Sequence, residues 1–180
     1  MASTATARVD RKLQLKDLLD WMIEDGHIDA EGAAKLTQEA RARPARHPII
    51  TVADAKLRSK KLPSLSLTAD IITEWVAGKV KMAPYRIDPL KIDLRSVTQV
   101  MSADYAQRRG ILPVEVSGKD VTIAVSEPWV TSWEAELSQM LRLNIKRVMS
   151  NPVDIERFQG EFFNLAKSMP GTRPRGASRA

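Results

Sequence analysis

The chain has 180 residues, 28 Lys and Arg against 22 Asp and Glu, 43% hydrophobic residues and no cysteine. That suits one domain or two small ones and excludes a disulfide framework, a Cys-ligated zinc and a thiol nucleophile. His27 and His47 are the two histidines, too few for a His-rich metal site, no apolar stretch approaches the ~20 residues of a spanning helix, and no apolar run follows Met1 as a signal peptide requires. The net charge of +6 is unevenly placed. Residues 1–12 carry +2, residues 41–61 carry +6 and residues 167–180 carry +4, which leaves −6 for the rest. An acidic body with basic flanks and connector fits peripheral electrostatics better than a dedicated nucleic-acid face.

Residues 1–12 are Ala/Thr/Ser-rich at their start and read as a disordered N-terminus. Leu15, Leu18, Leu19, Met22 and Ile23 then recur at helical spacing, and Gly26 ends that helix. Asp29 caps a second helix to about Arg41. The run Arg43-Pro44-Ala45-Arg46-His47-Pro48 breaks the pattern, because each proline biases its predecessor away from helix. A third helix is expected over about Val52–Lys60. A fourth, capped by Thr68, has Ile71, Ile72, Trp75 and Val76 as its inner face and ends at Gly78. Residues 13–82 thus form a small helical subdomain.

The pattern changes at Ala83-Pro84. Tyr85–Asp93 has a strand-like start and an Asp-Pro turn. A short helix over Leu94–Met101 follows, then one capped by Ser102 and closed by Gly110. Leu112–Val116 and Val121–Val125 alternate with period two around Ser117-Gly118-Lys119-Asp120, a β-hairpin with one buried face. Thr131 and Glu134 make a capping box for a helix to Leu141. A strand over Ile145–Met149 precedes a last helix, opened by Asn151-Pro152 and facing inward with Ile155, Phe158, Phe162 and Leu165. The fold class is therefore α/β (α+β), with an α-α-β-β-α-β-α subdomain over residues 83–168. Residues 169–180 read as a flexible linker or tail.

Catalytic motifs are absent. Gly78-Lys79 and Gly118-Lys119 are preceded, five residues before each glycine, by Thr73 and Pro113, so there is no P-loop. No glycine-rich dinucleotide fingerprint occurs. His27 and His47 fall in turns, where solvated or capping roles outweigh partnership with a nucleophile. Asp88 serves its Asp-Pro turn and Glu134 its cap more simply than acid–base chemistry. Trp21 and Trp75 lie among Leu and Ile at helical spacing and belong to a core. Trp129 and Trp133 could pack inside or face a partner. Arg108-Arg109 complements the negative end of its helix. No catalytic, cofactor or metal residue is assigned.

Thr68 to Leu165 resembles the N-terminal domain of the type II secretion and type IV pilus assembly ATPases (GspE- and PilB-like, related to MshEN domains). Residues that carry the resemblance are Leu67-Thr68 through Thr73-Glu74-Trp75-Val76-Ala77, Pro84-Tyr85, Ile87 to Asp93 and Tyr105 to Arg109. It continues with Ile111-Leu112-Pro113-Val114, Val121-Thr122-Ile123-Ala124, Glu127-Pro128 and Asn151-Pro152 with Asp154-Ile155-Glu156. Residues 13–82 are similar, more loosely, to the family's helical lead-in. The resemblance implies a cytoplasmic module, peripheral at the inner membrane, that docks an ATPase motor to the assembly platform. The implied partners are the cytoplasmic domain of a bitopic inner-membrane platform protein and the motor domain, in cis or in trans. Peripheral contact with anionic membrane is compatible, and no nucleic acid is expected. The motor is not in these residues, so the chain is a piece of a longer ATPase or a free-standing docking module. Some relatives bind cyclic di-GMP through a repeated motif beginning Arg-Leu-Gly before a Gly-Leu-Ile turn. Gly26-His27-Ile28 matches the turn, but Asp17-Leu18-Leu19 replaces the start, and His47 to Leu67 has no Arg-Leu-Gly. Weak or lost binding is expected, since an aspartate repels phosphate and a leucine blocks close backbone approach. The candidate partner surface comprises Arg86, Asp88, Lys91, Arg108, Arg109, Trp129 and Trp133.

Overall fold

The computed structural model describes residues 9–169. Four helices open the chain: α1 (Leu15–Glu24), α2 (Ala30–Arg41), α3 (Pro48–Asp54) and α4 (Ala69–Lys79). Leu18, Leu19 and Met22 of α1, Leu36 of α2, Ile49 and Val52 of α3, and Ile72, Val76 and Ala77 of α4 share one core. A fully buried aliphatic side chain of this kind contributes about 1.5–3 kcal/mol. Asp29 Oδ1 accepts from Gly32 N at 2.7 Å, and Thr68 Oγ1 accepts from Ile71 N at 3.3 Å, so α2 and α4 start at their expected caps.

The third helix departs from expectation. It starts at Pro48 rather than Val52 and ends at Asp54 rather than Lys60. Pro48 occupies the first helical position, where the missing N–H costs nothing, and the His47 Nδ1 accepts from Ile49 N at 3.2 Å. The proline read as a breaker is the start signal.

Between residues 82 and 94 there is no strand. Pro84 makes a single bridge to Met149, and a short 3-10 turn covers Pro89–Lys91. Next come α5 (Leu94–Thr98), shorter than expected, and α6 (Ala103–Arg109), β1 (Ile111–Ser117), β2 (Asp120–Val125), α7 (Ser132–Leu141), β3 (Asn144–Met149) and α8 (Pro152–Lys167). This is the expected α-α-β-β-α-β-α order. Gly110 closes α6 at φ +63°, and Gly118 turns the hairpin at φ +58°, both in the left-handed region that glycine enters freely. The sheet order is β1-β2-β3, antiparallel between the first pair and parallel between the second, with α7 as the crossover. Val114 has no partner in the register, a bulge between Pro113 and Glu115 on the edge strand where a proline is tolerated.

Three sequence readings change here. The row Leu112–Ala124–Val148 lies on the opposite face from Ile111–Val125–Met149, and all six residues are buried, so at this end both faces of the sheet are covered. Leu165 is 51% exposed, and α8 instead buries Phe163 and Gln159 beside Ile155, Phe158 and Phe162. Gln159 Nε2 donates to Ala106 O at 2.8 Å and Ile111 O at 2.9 Å, pinning the α6–β1 turn. The capping box at Thr131 does not form. Thr131 N and Ser132 N donate instead to Asp10 Oδ1, at 2.9 and 3.0 Å, and Ser132 Oγ to Asp10 Oδ2.

Asp10 belongs to an extended strap from a region read as disordered. Residues 1–8 and 170–180 lie outside the described residues, but residues 10–13 are held against the β2–α7 loop. Arg11 N donates to Trp129 O at 3.3 Å, and Leu13 N donates to Glu127 Oε2 at 2.7 Å. The α/β core contains Val121, Ile123, Trp133, Leu137, Phe158 and Phe162. Met149 packs into the helical core, and Met82 touches both, so packing runs continuously across residue 83.

Candidate docking surfaces

The predicted surface residues fall into three groups that no hydrogen bond, ion pair or ring contact joins among the described residues. In the first, Arg86 Nε donates to Glu74 Oε1 of α4 at 2.7 Å, Asp88 caps the 3-10 turn through Leu90 N at 3.0 Å, and Lys91 lies 3.9 Å from Asp88. In the second, Arg108 pairs with Asp104 at 3.0 Å, and Arg109 reaches Glu136 of α7 at 3.7 Å. The third is Trp129. Trp133 is not on the surface at all. It is 1% exposed in the α/β core, and its indole Nε1 donates to Val130 O at 3.0 Å. The first turn of α7 carries it inward, and that hydrogen bond satisfies the one polar atom an inward tryptophan must match.

Trp129 is half-buried. Its ring meets Trp21 edge-on, with centroids 5.9 Å apart, and the Arg11 guanidinium lies 4.2 Å from its centroid. Pro128, Trp129 and Arg147 are common to two adjoining clefts of about 440 and 380 Å³. Arg11, Lys81, Lys146 and Arg147 are the ionisable residues lining them, and none is acidic. Arg147 Nη1 donates to Pro128 O at 2.9 Å and its Nε lies 3.3 Å from Glu134, while Arg11 pairs with Asp17 at 2.8 Å. Lys81 and Lys146 have no ion-pair partner among the described residues. Sequence reasoning singled out Trp129 but missed these cations, whose one signal is Lys146-Arg147 standing together in a strand.

A separate groove of about 450 Å³ lies between the start of α1, the end of α2 and α3. Leu13, Leu36 and Pro48 contribute apolar surface to it, and Arg41, Arg43 and Arg46 are exposed along its loop. Arg46 pairs with Asp54.

Both histidines are engaged in hydrogen bonds. His27 Nδ1 lies 2.9 Å from Ser59 Oγ, with its ring edge-on to Trp75 at 5.5 Å. Trp75 is itself half-buried, its Nε1 donating to Asp25 Oδ2 at 2.8 Å, and Lys79 holds the same carboxylate at 2.8 Å. Those contacts push the Asp25 carboxyl below its ordinary value, Lys79 foremost. His47 is half-buried between α3 and the β2–α7 loop, with Nε2 2.9 Å from Ser126 O and 3.5 Å from Glu127 Oε1. Burial lowers the His47 pKa and raises that of Glu127. No group of three or more His, Asp or Glu fit to hold a metal occurs among the described residues. No helix there is long and apolar enough to cross a membrane.

The positions of the phosphate-binding motif are engaged otherwise. Asp17 Oδ2, in the arginine's place, accepts from Gln14 N at 2.9 Å and anchors the first turn of α1. Leu19, in the glycine's place, is buried in the helical core.

The MshEN domain family matches residues 82–169. That stretch is similar to MshEN domains. It begins where Met82 and Ala83 reach the sheet, and it ends just after α8. Over 158 residues the chain is 27% identical to the type IV pilus assembly ATPase TfpB of Acinetobacter baylyi, spanning 86% of this chain but about a quarter (27%) of that protein. Among solved structures, MshE with cdg matches at a TM-score of 0.51 and 14% identity, covering 84% of this chain and 99% of that one. The N-terminal domain of XpsE matches at 0.43 and 11% identity, over 83% and 96%. The mixed α/β fold with its three-stranded sheet is shared with MshE. The likeness to TfpB extends upstream of the MshEN domain, since 158 matched residues exceed that domain's span.

Proposed function

We propose that this chain is a non-catalytic docking module of a type II secretion or type IV pilus ATPase, which brings the motor to the inner-membrane assembly platform. The observation that carries this reading is the match to an MshEN domain together with only about a quarter of a pilus ATPase, in a sequence without a P-loop. Hydrolysis of ATP belongs to the motor, in cis or in trans. The partner on the membrane side is the cytoplasmic domain of a bitopic platform protein. The module works in the cytoplasm, peripheral to the inner membrane, where the exposed Arg41–Arg46 loop meets anionic headgroups at about 1 kcal/mol per cation. Co-elution of the chain with that cytoplasmic domain in gel filtration tests the reading. Separate elution of two folded proteins at high micromolar concentration would count against it.

Cyclic di-GMP has no role in this reading, although the fold is shared with MshE. Asp17 holds the α1 N-terminus and presents negative charge where phosphate would sit, and Leu19 fills core volume. Calorimetry with tens of micromolar cyclic di-GMP is expected to be silent. Saturable heat would reinstate ligand sensing.

A further inference from the structure

One edge of the sheet is unpaired beside the basic clefts. Met149 N donates to Ala83 O and Met149 O accepts from Tyr85 N, both at 2.8 Å, so the backbone of Met149 points away from β2. Ser150 N, one residue on, donates back to Val125 O at 3.0 Å. Alternation along a parallel strand therefore aims the N–H and C=O of Ile145 and Arg147 outward as well. Neither residue's outward backbone groups find a partner among the described residues. An open edge is a template for another strand unless charge or cover blunts it. The same edge borders the cleft holding Lys81 and Lys146, which lack ion-pair partners, and Arg147.

The chain already shows what this corner accepts. The strap at residues 10–13 lies extended along residues 127–132, and its Asp10 carboxylate takes the free amides of α7. Those hydrogen bonds, from Ser132 Oγ foremost, lower the Asp10 pKa. We infer that the open edge of β3 is the docking strip for an extended, acidic segment of the partner protein, which adds a strand through the outward backbone groups of Ile145 and Arg147 and meets Lys81 and Lys146 with its carboxylates. Main-chain hydrogen bonds would give affinity and the lysines charge selection. A flat anionic surface would not engage backbone amides recessed beside a cleft. This inference rests on the docking role proposed above.

The test titrates the full chain and its K81E/K146E variant with the platform protein's cytoplasmic domain, with hydrogen exchange followed at the Ile145 and Arg147 amides. Both lysines are solvent-facing, so the variant keeps the fold, which circular dichroism checks. Expected are an affinity loss of tenfold or more in the variant, a steep salt dependence for the unaltered chain, and slowed exchange at both amides on binding. Equal affinity of the two chains with unprotected amides overturns the strip and leaves docking elsewhere. Loss of binding to anionic vesicles alone, with partner affinity unchanged, overturns it in favour of a lipid surface. Absence of partner binding by the unaltered chain removes the docking role and the strip together.

Discussion

At the scale of single residues, His47 does the most with the least. Its Nδ1 caps α3 by accepting from Ile49 N, and its Nε2–H donates to Ser126 O across to the sheet. Both nitrogens are committed to the neutral ring, because a protonated Nδ1 cannot accept. Burial lowers the His47 pKa from 6.5, so the fold favours neutral histidine. The stability this supplies is present above pH about 6.5 and is lost as pH falls through the depressed folded value. Glu127 works in the opposite sense: its pKa is raised from 4.5 by burial, so its share is present in acid and lost as pH rises through the raised value. Urea unfolding of the unaltered chain at pH 7.5 and 5.5 is expected to show a drop in stability that His47→Asn, which keeps a capping oxygen and has no charge to gain, largely removes. An equal drop in both would contradict the neutral-ring assignment.

At the scale of elements, the α7 N-terminus shows how a cap can come from far away in sequence. Asp10 lies more than 120 residues before the amides it satisfies. Asp10→Ala is expected to cost about 1 kcal/mol and to speed amide exchange in the first turn of α7. Unchanged exchange there would show the strap to be incidental. Elements with local signals were legible in the sequence: Asp29, Thr68, Ser102 and Asn151 each cap the helix expected of them, and Gly110 and Gly118 take the positive φ their turns require. Elements set by distant partners were not. Thr131 loses its capping box to Asp10, and the extended run after Pro84 makes a single bridge, to Met149, among the described residues and so is not a strand. Leu165 yields its inward place to Phe163 and Gln159, because α8 must meet both the sheet and the α6–β1 turn. The site follows the same rule. Trp129 could be chosen from its sequence neighbourhood, but Trp133 turned inward, and the lysines beside Trp129 come from two segments far apart in the chain.

At the scale of the molecule, helices and sheet share one continuous packing through Met82 and Met149. The strap fastens the start of α1 to the loop before α7, and His47 fastens α3 to the same loop. These two connections converge on residues 126–132, the segment that carries Trp129 and borders its basic clefts. The sequence holds no glycine-rich P-loop to cradle phosphate. The docking role is tested most directly by a calorimetric titration of the chain with the cytoplasmic domain of its platform protein. A one-to-one complex with Kd of roughly 10 μM or tighter, about −7 kcal/mol, is the expected result. No heat and no complex at several hundred micromolar, with both proteins folded, would contradict it.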